Sequence, residues 1–412
     1  MPGATIDHLV SLTVFVAALL LFVSLFSQNL QAAILYQRNR QVIIKATELL
    51  DSIALNPGYP LNWGRSNAFP TSFGLQDSNA RGFTLSPFSL MRLASSSGNP
   101  VKLKTTGVWY SNVSMGSGGY LLVPFSTCVN YTTAARLLGI NGSYAFQLTI
   151  SPVLTVSIKE LNPANPLQVE VKVSGPGLPL GNAYLKYNLV YAIPGNGSYP
   201  GFQIVSGTAR TLVDGSAILS FPSVTDPESA YAIVVNSYLS GLFGVGYKTR
   251  SSSGMSDIGD VIPFVESFAG GKILLVHSYD VHDVATPSAL HFNATFLILS
   301  SDFEFHGLGI GNGTVNGQVN YGGGQEGRVQ IPTSDPGILV VTYRKGNDYG
   351  ISLLPWGIGS LGVSLVYGNS PSNSDWVATD IRQVMIAGVS YQAKIAVWNL
   401  AGFQIWKPPW GP

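Results

Sequence analysis

Residues 9–26, from Leu9 to Phe26, read LVSLTVFVAALLLFVSLF and contain no charged side chain. A helix of about twenty apolar residues, rising about 1.5 Å per residue, crosses the hydrocarbon core of a bilayer. This stretch therefore predicts a membrane-spanning helix near the N-terminus. Every later segment is then assigned to one side of a membrane.

The helical pattern continues beyond the apolar stretch. Apolar and small residues recur at mostly three- and four-residue steps, with Gln, Arg, Lys and Glu between them. They are Leu30, Ala33, Ile34, Ile43, Ile44, Thr47, Leu50 and Ile53. Pro57 and Gly58 then interrupt the pattern, since neither residue continues a helix. The sequence predicts one helix of about 45 residues, roughly 70 Å long, that is apolar in its first half and amphipathic in its second.

A cleaved secretory signal is the alternative interpretation of this N-terminus. Such signals begin with basic residues and have a shorter apolar core followed by a small-residue cleavage site. Residues 1–8 contain no Lys or Arg, and the helical pattern continues past Phe26. These features favour a retained single-pass anchor.

A helix that is membrane-like first and amphipathic second, and that leads into a β-rich body, resembles the N-terminal spine of archaeal type IV pilin-like proteins. The resemblance covers about residues 1–55. In that family a small-residue site before the helix is processed, and an acid near the mature N-terminus pairs with a neighbouring subunit. The resemblance implies that Gly3 and Ala4 supply the small residues and Asp7 the acid. No Lys or Arg precedes Gly3, and Asp stands where the family usually has Glu. A plain single-pass anchor with a stalk is the alternative.

Composition excludes several classes of function. Only 10% of the 412 residues are charged and the formal net charge is +1, against about 25% charged residues in a typical soluble domain. Phosphate binding requires clustered Lys and Arg, so nucleic acid is not expected as a partner. Cys128 is the only cysteine, which excludes an intrachain disulfide and a Cys-x-x-Cys metal or redox motif.

Two signals for the orientation of the helix conflict. Arg38, Arg40 and Lys45 follow the apolar stretch and, by the positive-inside tendency, favour a cytoplasmic body. Against this stand six Asn-x-Ser/Thr sequons, which are acceptors of N-linked glycans on extracellular surfaces. They are Asn112, Asn130, Asn141, Asn196, Asn293 and Asn312. We predict a protein of the cell membrane with an extracellular, glycosylated body.

The body is predicted to be mainly β. Residues 57–155 are interpreted as an α+β head, in which residues 131–138 form a short helix with Asn130 as its N-cap. Residues 156–250 alternate apolar and polar side chains between Gly- and Pro-rich turns, which is typical of an immunoglobulin-like β-sandwich. After a Ser- and Gly-rich linker at residues 250–254, residues 258–412 are interpreted as a further β domain.

Two segments of that last domain, one polar and one aromatic, allow separate predictions. Residues 316–327 are polar and rich in glycine, which favours a mobile loop. The segment that contains Trp406 and Trp410 is expected to dock on the body, because Trp readily fills interfaces.

One segment contains side chains of the types that bind metal ions. His277, Asp280, His282 and Asp283 lie within seven residues, and on a strand Asp280 and His282 would share one face. With a third ligand from elsewhere this pair is a weak candidate for a metal site. Solvated residues at the end of a strand are the favoured interpretation.

The sequence otherwise indicates a non-enzymatic protein without a cofactor, since Gly-x-Ser-x-Gly, His-Glu-x-x-His and phosphate-loop motifs do not occur in it. Two classes of function follow. The first is a pilin-like structural subunit that forms homo-oligomers or filaments through its N-terminal helix. The second is a monomeric surface protein for binding or adhesion. A membrane-tethered hydrolase is a third and less favoured class of function.

Overall fold

The computed structural model describes residues 3–115, 118–140, 142–195, 197–255, 259–282, 288–300, 303–308, 310, 315–331, 335–371 and 376–400. This part of the chain is mainly β, with one long apolar helix at its N-terminus and several antiparallel sheets. The predicted fold class is therefore confirmed. The segment that contains Trp406 and Trp410, predicted to dock on the body, lies outside the described residues.

The long helix α1 spans Gly3–Ala54, which is 52 residues. It exceeds the predicted length because the helical backbone begins at Gly3, before the apolar stretch. The following loop binds its last turn: the Leu75 N–H donates to the carbonyl oxygen of Ile53 at 2.7 Å. The Asn56 side chain accepts from the N–H of Gly58 at 2.9 Å. The C-terminal end of the helix is thus tied to the body by hydrogen bonds.

Three shorter α-helices follow within the described ranges. They are α2 (Pro87–Ala94), α3 (Tyr131–Leu137) and α4 (Tyr279–His282). The Asn130 side chain accepts a hydrogen bond from the N–H of Thr133 at 2.9 Å, so the predicted helix and its N-cap are confirmed.

The described residues form 23 strands. They are β1 (Asn99–Lys102), β2 (Trp109–Ser114), β3 (Tyr120–Pro124), β4 (Tyr144–Pro152), β5 (Thr155–Asn162), β6 (Leu167–Gly175), β7 (Leu178–Pro179), β8 (Tyr184–Pro194), β9 (Pro200–Arg210), β10 (Ser216–Phe221), β11 (Tyr231–Leu239), β12 (Leu242–Arg250), β13 (Val261–Ser267), β14 (Lys272–His277), β15 (Leu290–Leu299), β16 (Phe305–Leu308), β17 (Asn316–Val319), β18 (Gly327–Gln330), β19 (Gly337–Lys345), β20 (Asp348–Trp356), β21 (Leu365–Gly368), β22 (Ala378–Ile386) and β23 (Val389–Asn399).

These strands form five sheets. Two are three-stranded, in the orders β1-β2-β3 and β13-β14-β18. An eight-stranded sheet has the order β10-β6-β5-β12-β11-β8-β9, with β7 paired to β6. A five-stranded sheet has the order β16-β15-β19-β20, with β17 paired to β15. A four-stranded sheet has the order β21-β4-β23-β22.

The eight-stranded sheet contains the predicted sandwich. Its two halves are joined by a single parallel pair, Thr155 with Val245. Side chains of both halves fill one core, including Val169 and Val171 of β6 and Ile233 of β11. This arrangement follows from the alternation that the sequence shows, because a strand with one apolar face must bury it against another sheet.

The four-stranded sheet unites segments that are far apart in the sequence. Strand β4 pairs along its whole length with β23, and Leu148 lies opposite Ile395. This ladder crosses the boundary predicted at residue 155, so the head region and the last region share a sheet. Their side chains also belong to one core, in which Leu49 of α1 takes part.

Two segments predicted as irregular are integrated into the body. Ser252, in the predicted linker, is buried; its Oγ accepts from the N–H of Tyr349 at 3.0 Å and donates to the carbonyl oxygen of Glu228 at 2.6 Å. The predicted loop at residues 316–327 contains strand β17 and the first residue of β18. The hydrogen bonds of Ser252 reach residues 24 and 97 positions away in the sequence, so composition alone does not reveal them.

Candidate functional site

Helix α1 divides into two segments of different environment. Every side chain from residue 6 to residue 37 is exposed, and we call residues 6–37 the free segment. At about 1.5 Å per residue it extends roughly 48 Å from the body. The most apolar 18-residue window has a mean hydropathy of 2.7, and none of it is buried. By length and composition the helix can cross a membrane, criteria that a membrane anchor and an N-terminal signal sequence both meet.

Residues 38–54, the docked segment, attach the helix to the four-stranded sheet. Val42, Ala46, Leu49, Leu50 and Ile53 are each at most 2% exposed. Their spacing places them on one face of the helix, which packs against β22 and β23. Burial of each of the larger side chains contributes about 1.5–3 kcal/mol. The amphipathic half predicted from the sequence is therefore the half that joins the body.

Polar contacts fix the position of the docked segment along β22. Asp51 Oδ1 lies 3.4 Å from Arg382 Nη2, and Arg382 Nη1 lies 2.5 Å from Asp380 Oδ1. Partial burial alone would raise the pKa of Asp380, but hydrogen bonds from the Ile381 N–H, Arg382 and Thr47 outweigh it and hold that pKa below its usual range. Two polar residues of the helix thus contact one charged pair on an edge strand.

An apolar surface remains on the side of the helix that faces away from the body. Ile44 lies about 200° around the helix axis from both Val42 and Ala46, and it is 48% exposed. Leu30 and Ile34 are 52% and 45% exposed. These exposed side chains extend the apolar character of the helix past the uncharged stretch that ends at Phe26.

Asp7, the predicted assembly residue, lies in the free segment and is exposed. Its neighbours along the helix include Ile6, Leu9 and Val10, which are also exposed. A carboxylate among apolar side chains on a membrane-spanning helix requires a partner group.

The structure describes three of the six predicted glycosylation residues. Asn130 is exposed at the start of α3, Asn112 is half-buried on β2, and Asn293 is half-buried on β15. The Thr295 hydroxyl donates to Asn293 Oδ1 at 3.3 Å. Asn141, Asn196 and Asn312 lie outside the described residues, and all six sites stay predictions.

The segment with the weak metal candidates is folded differently from the expected strand. Strand β14 ends at His277, and residues 279–282 form the short helix α4, so strand alternation does not apply to Asp280 and His282. His277 and Asp280 are each only 2% exposed. The expectation that these two residues are solvated is therefore wrong.

Backbone groups form hydrogen bonds with both buried side chains, but Asp280 Oδ2 is buried and has no hydrogen-bond partner among the described residues. His277 Nδ1 accepts from the N–H of Tyr279 at 3.0 Å, which leaves Nε2 to donate to the carbonyl oxygen of Ser288 at 3.2 Å. Burial lowers the pKa of His277. Asp280 Oδ1 accepts from the N–H of Gly322 at 3.0 Å. Within the described ranges no three His, Cys, Asp or Glu side chains cluster as metal ligands. The side chain of His282 and all of Asp283 lie outside those ranges.

A buried arginine is a feature that sequence reasoning missed. Arg92 is fully buried; its Nε donates to the carbonyl oxygen of Thr127 and its Nη1 to that of Ala68, both at 2.8 Å. Nη1 also donates to the carbonyl oxygens of Trp63 and Ser66. Burial lowers the pKa of Arg92 to about 10. Only the apolar neighbours of Arg92 in α2 hinted at its burial.

Comparisons with known proteins do not place the chain in a family. No family profile and no curated protein matches it. Among solved structures, the D0-D1 domain of intimin is similar over 54% of this chain and 100% of its own length, with 11% identity and a TM-score of 0.21. A biofilm associated protein BSP domain is similar over 50% of this chain and 30% of its own, with 14% identity and a TM-score of 0.15.

Red sea bream transglutaminase is similar over 60% of this chain and 37% of its own, with 9% identity and a TM-score of 0.17. These TM-scores lie below 0.5, so the likenesses support no conclusion about function. The geometry itself defines a β-rich body carried on an N-terminal apolar helix long enough to cross a membrane.

Proposed function

We propose that this chain is a non-enzymatic, membrane-anchored surface protein whose N-terminal helix also assembles copies of the chain in a pilin-like manner. The observation that carries the proposal is the division of α1 into an exposed apolar free segment and a docked segment held in the core. Because one continuous helix belongs to both, the body cannot turn independently of the anchor. We infer that the helix is a retained membrane anchor and not a signal sequence. Cleavage within the helix would break the continuous helix that connects the docked segment to the free segment.

Assembly is supported by the length of the free segment. The hydrocarbon core of a bilayer is about 30 Å thick, whereas the free segment extends roughly 48 Å. Leu30 and Ile34 lie beyond the uncharged stretch that ends at Phe26, and both are exposed. Apolar side chains outside the bilayer are stabilised when a second helix covers them.

We propose further that the body faces the cell exterior and carries N-linked glycans. Asn130 supports this, because it is exposed and its amide Oδ1 caps α3 while Nδ2 stays available for a glycan. In an assembly the carboxylate of Asp7 would bind the terminal amine of a neighbouring copy, as the resemblance to pilin-like proteins implies.

A monomeric adhesion protein is the second candidate. The observation in its favour is an apolar loop tip on the sandwich, where Leu212 and Val213 are 67% and 94% exposed. Exposed apolar side chains on loops are typical of binding surfaces. In this alternative the helix only anchors one molecule.

Oxidative cross-linking in native membranes tests assembly through the helix. In a Cys128→Ser background, Ile34→Cys places a thiol at an exposed apolar position of the free segment. We expect disulfide-linked dimers from Ile34→Cys. The matched control is Val213→Cys, which is more exposed but lies on the sandwich, and we expect it to stay monomeric. Equal cross-linking of the two variants, or none from Ile34→Cys, would favour the monomeric anchor.

A further inference from the structure

An apolar cavity of about 450 Å³ lies where the eight-stranded, five-stranded and four-stranded sheets meet. We call it the junction cavity. Its floor consists of Val234, Leu297, Ile338 and Val389, each at most 3% exposed. Four strands, β11, β15, β19 and β23, supply these side chains. Rigid sheets therefore shape the floor of the cavity.

The rim of the junction cavity is open to solvent. Phe243 and Phe303 stack there with ring centroids 5.4 Å apart, and both are half-buried. Met385 and the exposed Gly388, at the turn between β22 and β23, complete the rim. Small-molecule sites have this form: a concave, mostly apolar pocket of about 300–1,000 Å³ at a junction of structural units.

Two polar side chains near the cavity, those of Lys186 and Asn188, contact the segment that carries Phe303. Lys186 Nζ lies 2.6 Å from Glu304 Oε1. Asn188 Nδ2 donates to the carbonyl oxygen of Phe303 at 3.0 Å, and Asn188 Oδ1 accepts from the N–H of Phe305 at 3.3 Å. Both residues are on β8, and they fix the segment that carries Phe303.

A third polar side chain on the same face has no such role. Asn236 lies opposite Lys186 in the ladder between β11 and β8, lines the cavity and is 4% exposed. Its Nδ2 is buried and finds no acceptor among the described residues. A buried donor without a partner is destabilising, and an oxygen atom inside the cavity would supply the missing acceptor.

We propose that the junction cavity binds a small, neutral, apolar molecule whose single acceptor oxygen receives a hydrogen bond from Asn236 Nδ2. The apolar floor binds the carbon skeleton through burial of its surface. No charged side chain lines the cavity within the part of the chain that the structure describes, so a charged head group finds no counter-ion. This binding activity is separate from membrane anchoring and from assembly.

Photolabelling of the full chain in lipid nanodiscs with benzophenone, a neutral two-ring ketone, tests the proposal. Illumination followed by peptide mass spectrometry locates the labelled residues. We expect saturable labelling at the rim, at Met385 and its neighbours. Labelling of the free segment by lipid-dissolved probe serves as an internal reference that changes in the cavity leave unaltered.

Two sets of variants test separately the contribution of the apolar floor and the contribution of the Asn236 donor to binding. Val234→Phe fills the cavity and should abolish rim labelling, whereas the matched variant Val234→Ala should retain it. For the donor, 9-fluorenone and fluorene, which differ by one carbonyl oxygen, compete against benzophenone. The advantage of fluorenone over fluorene should fall roughly 3- to 10-fold in Asn236→Leu. Melting temperatures of all three variants establish that they are folded.

Two results would overturn the inference. One is rim labelling that does not saturate or that persists in folded Val234→Phe. The other is an unchanged advantage of fluorenone in Asn236→Leu, which would exclude Asn236 as the donor.

Discussion

Asp51 of the N-terminal helix and Arg382 of edge strand β22 form an ion pair across 3.4 Å. The two residues are more than three hundred positions apart in the sequence, and each lies beside the apolar contact between the helix and the sheet. Arg382 also contacts Asp380. This pair sets where along the strand the N-terminal helix enters the body.

Removal of this cation should destabilise the junction. In Arg382→Met the carboxylates of Asp51 and Asp380 lose their partner, and we expect a loss of about 1–2 kcal/mol in the free energy of unfolding. Denaturant unfolding of the full chain in detergent measures it. The control is Arg328→Met, which removes a more exposed arginine that lies 3.8 Å from Glu326 Oε2 and should cost less than about 1 kcal/mol. Equal losses would show that Arg382 does not stabilise the junction.

Stability should also depend on pH through Asp380. The folded state lowers the pKa of this carboxyl group, so its ionised form favours folding. That contribution is fully present above the unfolded pKa of about 3.9 and is lost as the pH falls through the lower, folded value. Between pH 5 and pH 3 the native protein should lose more stability than Asp380→Asn. Parallel pH profiles for the two proteins would contradict this expectation.

The two segments of the helix should differ in their sensitivity to truncation. Leu49→Ala creates a cavity in the core and should cost about 2–5 kcal/mol. Leu30→Ala, on the free segment, should change the stability of the body by no more than about 0.5 kcal/mol. Thermal unfolding, monitored by near-ultraviolet circular dichroism, compares them. A large effect of Leu30→Ala would mean that the free segment contacts the body.

Arg92 should not tolerate lysine. One guanidinium group binds carbonyl oxygens of residues 63, 66, 68 and 127, and an ammonium group cannot reproduce that planar arrangement of donors. We expect Arg92→Lys to lower the free energy of unfolding by about 2–4 kcal/mol, since buried carbonyl groups lose their partners. Arg210→Lys, at an exposed position, is the control and should be nearly neutral. A neutral Arg92→Lys would show that water replaces the lost donors.

Asp7 should affect assembly and leave membrane insertion unchanged. Asp7→Ala removes the proposed partner of a neighbouring copy's terminal amine, so cross-linking of Ile34→Cys should fall several-fold while the membrane-bound fraction stays constant. Asp7→Glu keeps the charge and should preserve cross-linking. Undiminished cross-linking in Asp7→Ala would remove Asp7 from the assembly mechanism.

Local patterns predicted the elements whose evidence lies within a few residues of themselves. The apolar stretch from Leu9 to Phe26 predicted the helix, because its length matches a bilayer. Strand β14 (Lys272–His277) is likewise recognisable from its own short run of apolar residues. Strands with glycine or proline inside them, such as β13 with Pro263 and β20 with Gly350, are harder to predict from local patterns, because these residues usually end a strand.

The sequence by itself determined that an apolar helix precedes a β-rich body, since periodicity and turn residues act over short distances. Only the tertiary structure decided which strands pair, because the partner of β4 is supplied by β23 near the other end of the chain. It alone buried Asp280 and Arg92, and it alone left Asn236 Nδ2 facing a cavity with no acceptor among the described residues. Burial and hydrogen bonding of polar groups depend on neighbours that are remote in sequence, and no local pattern encodes them.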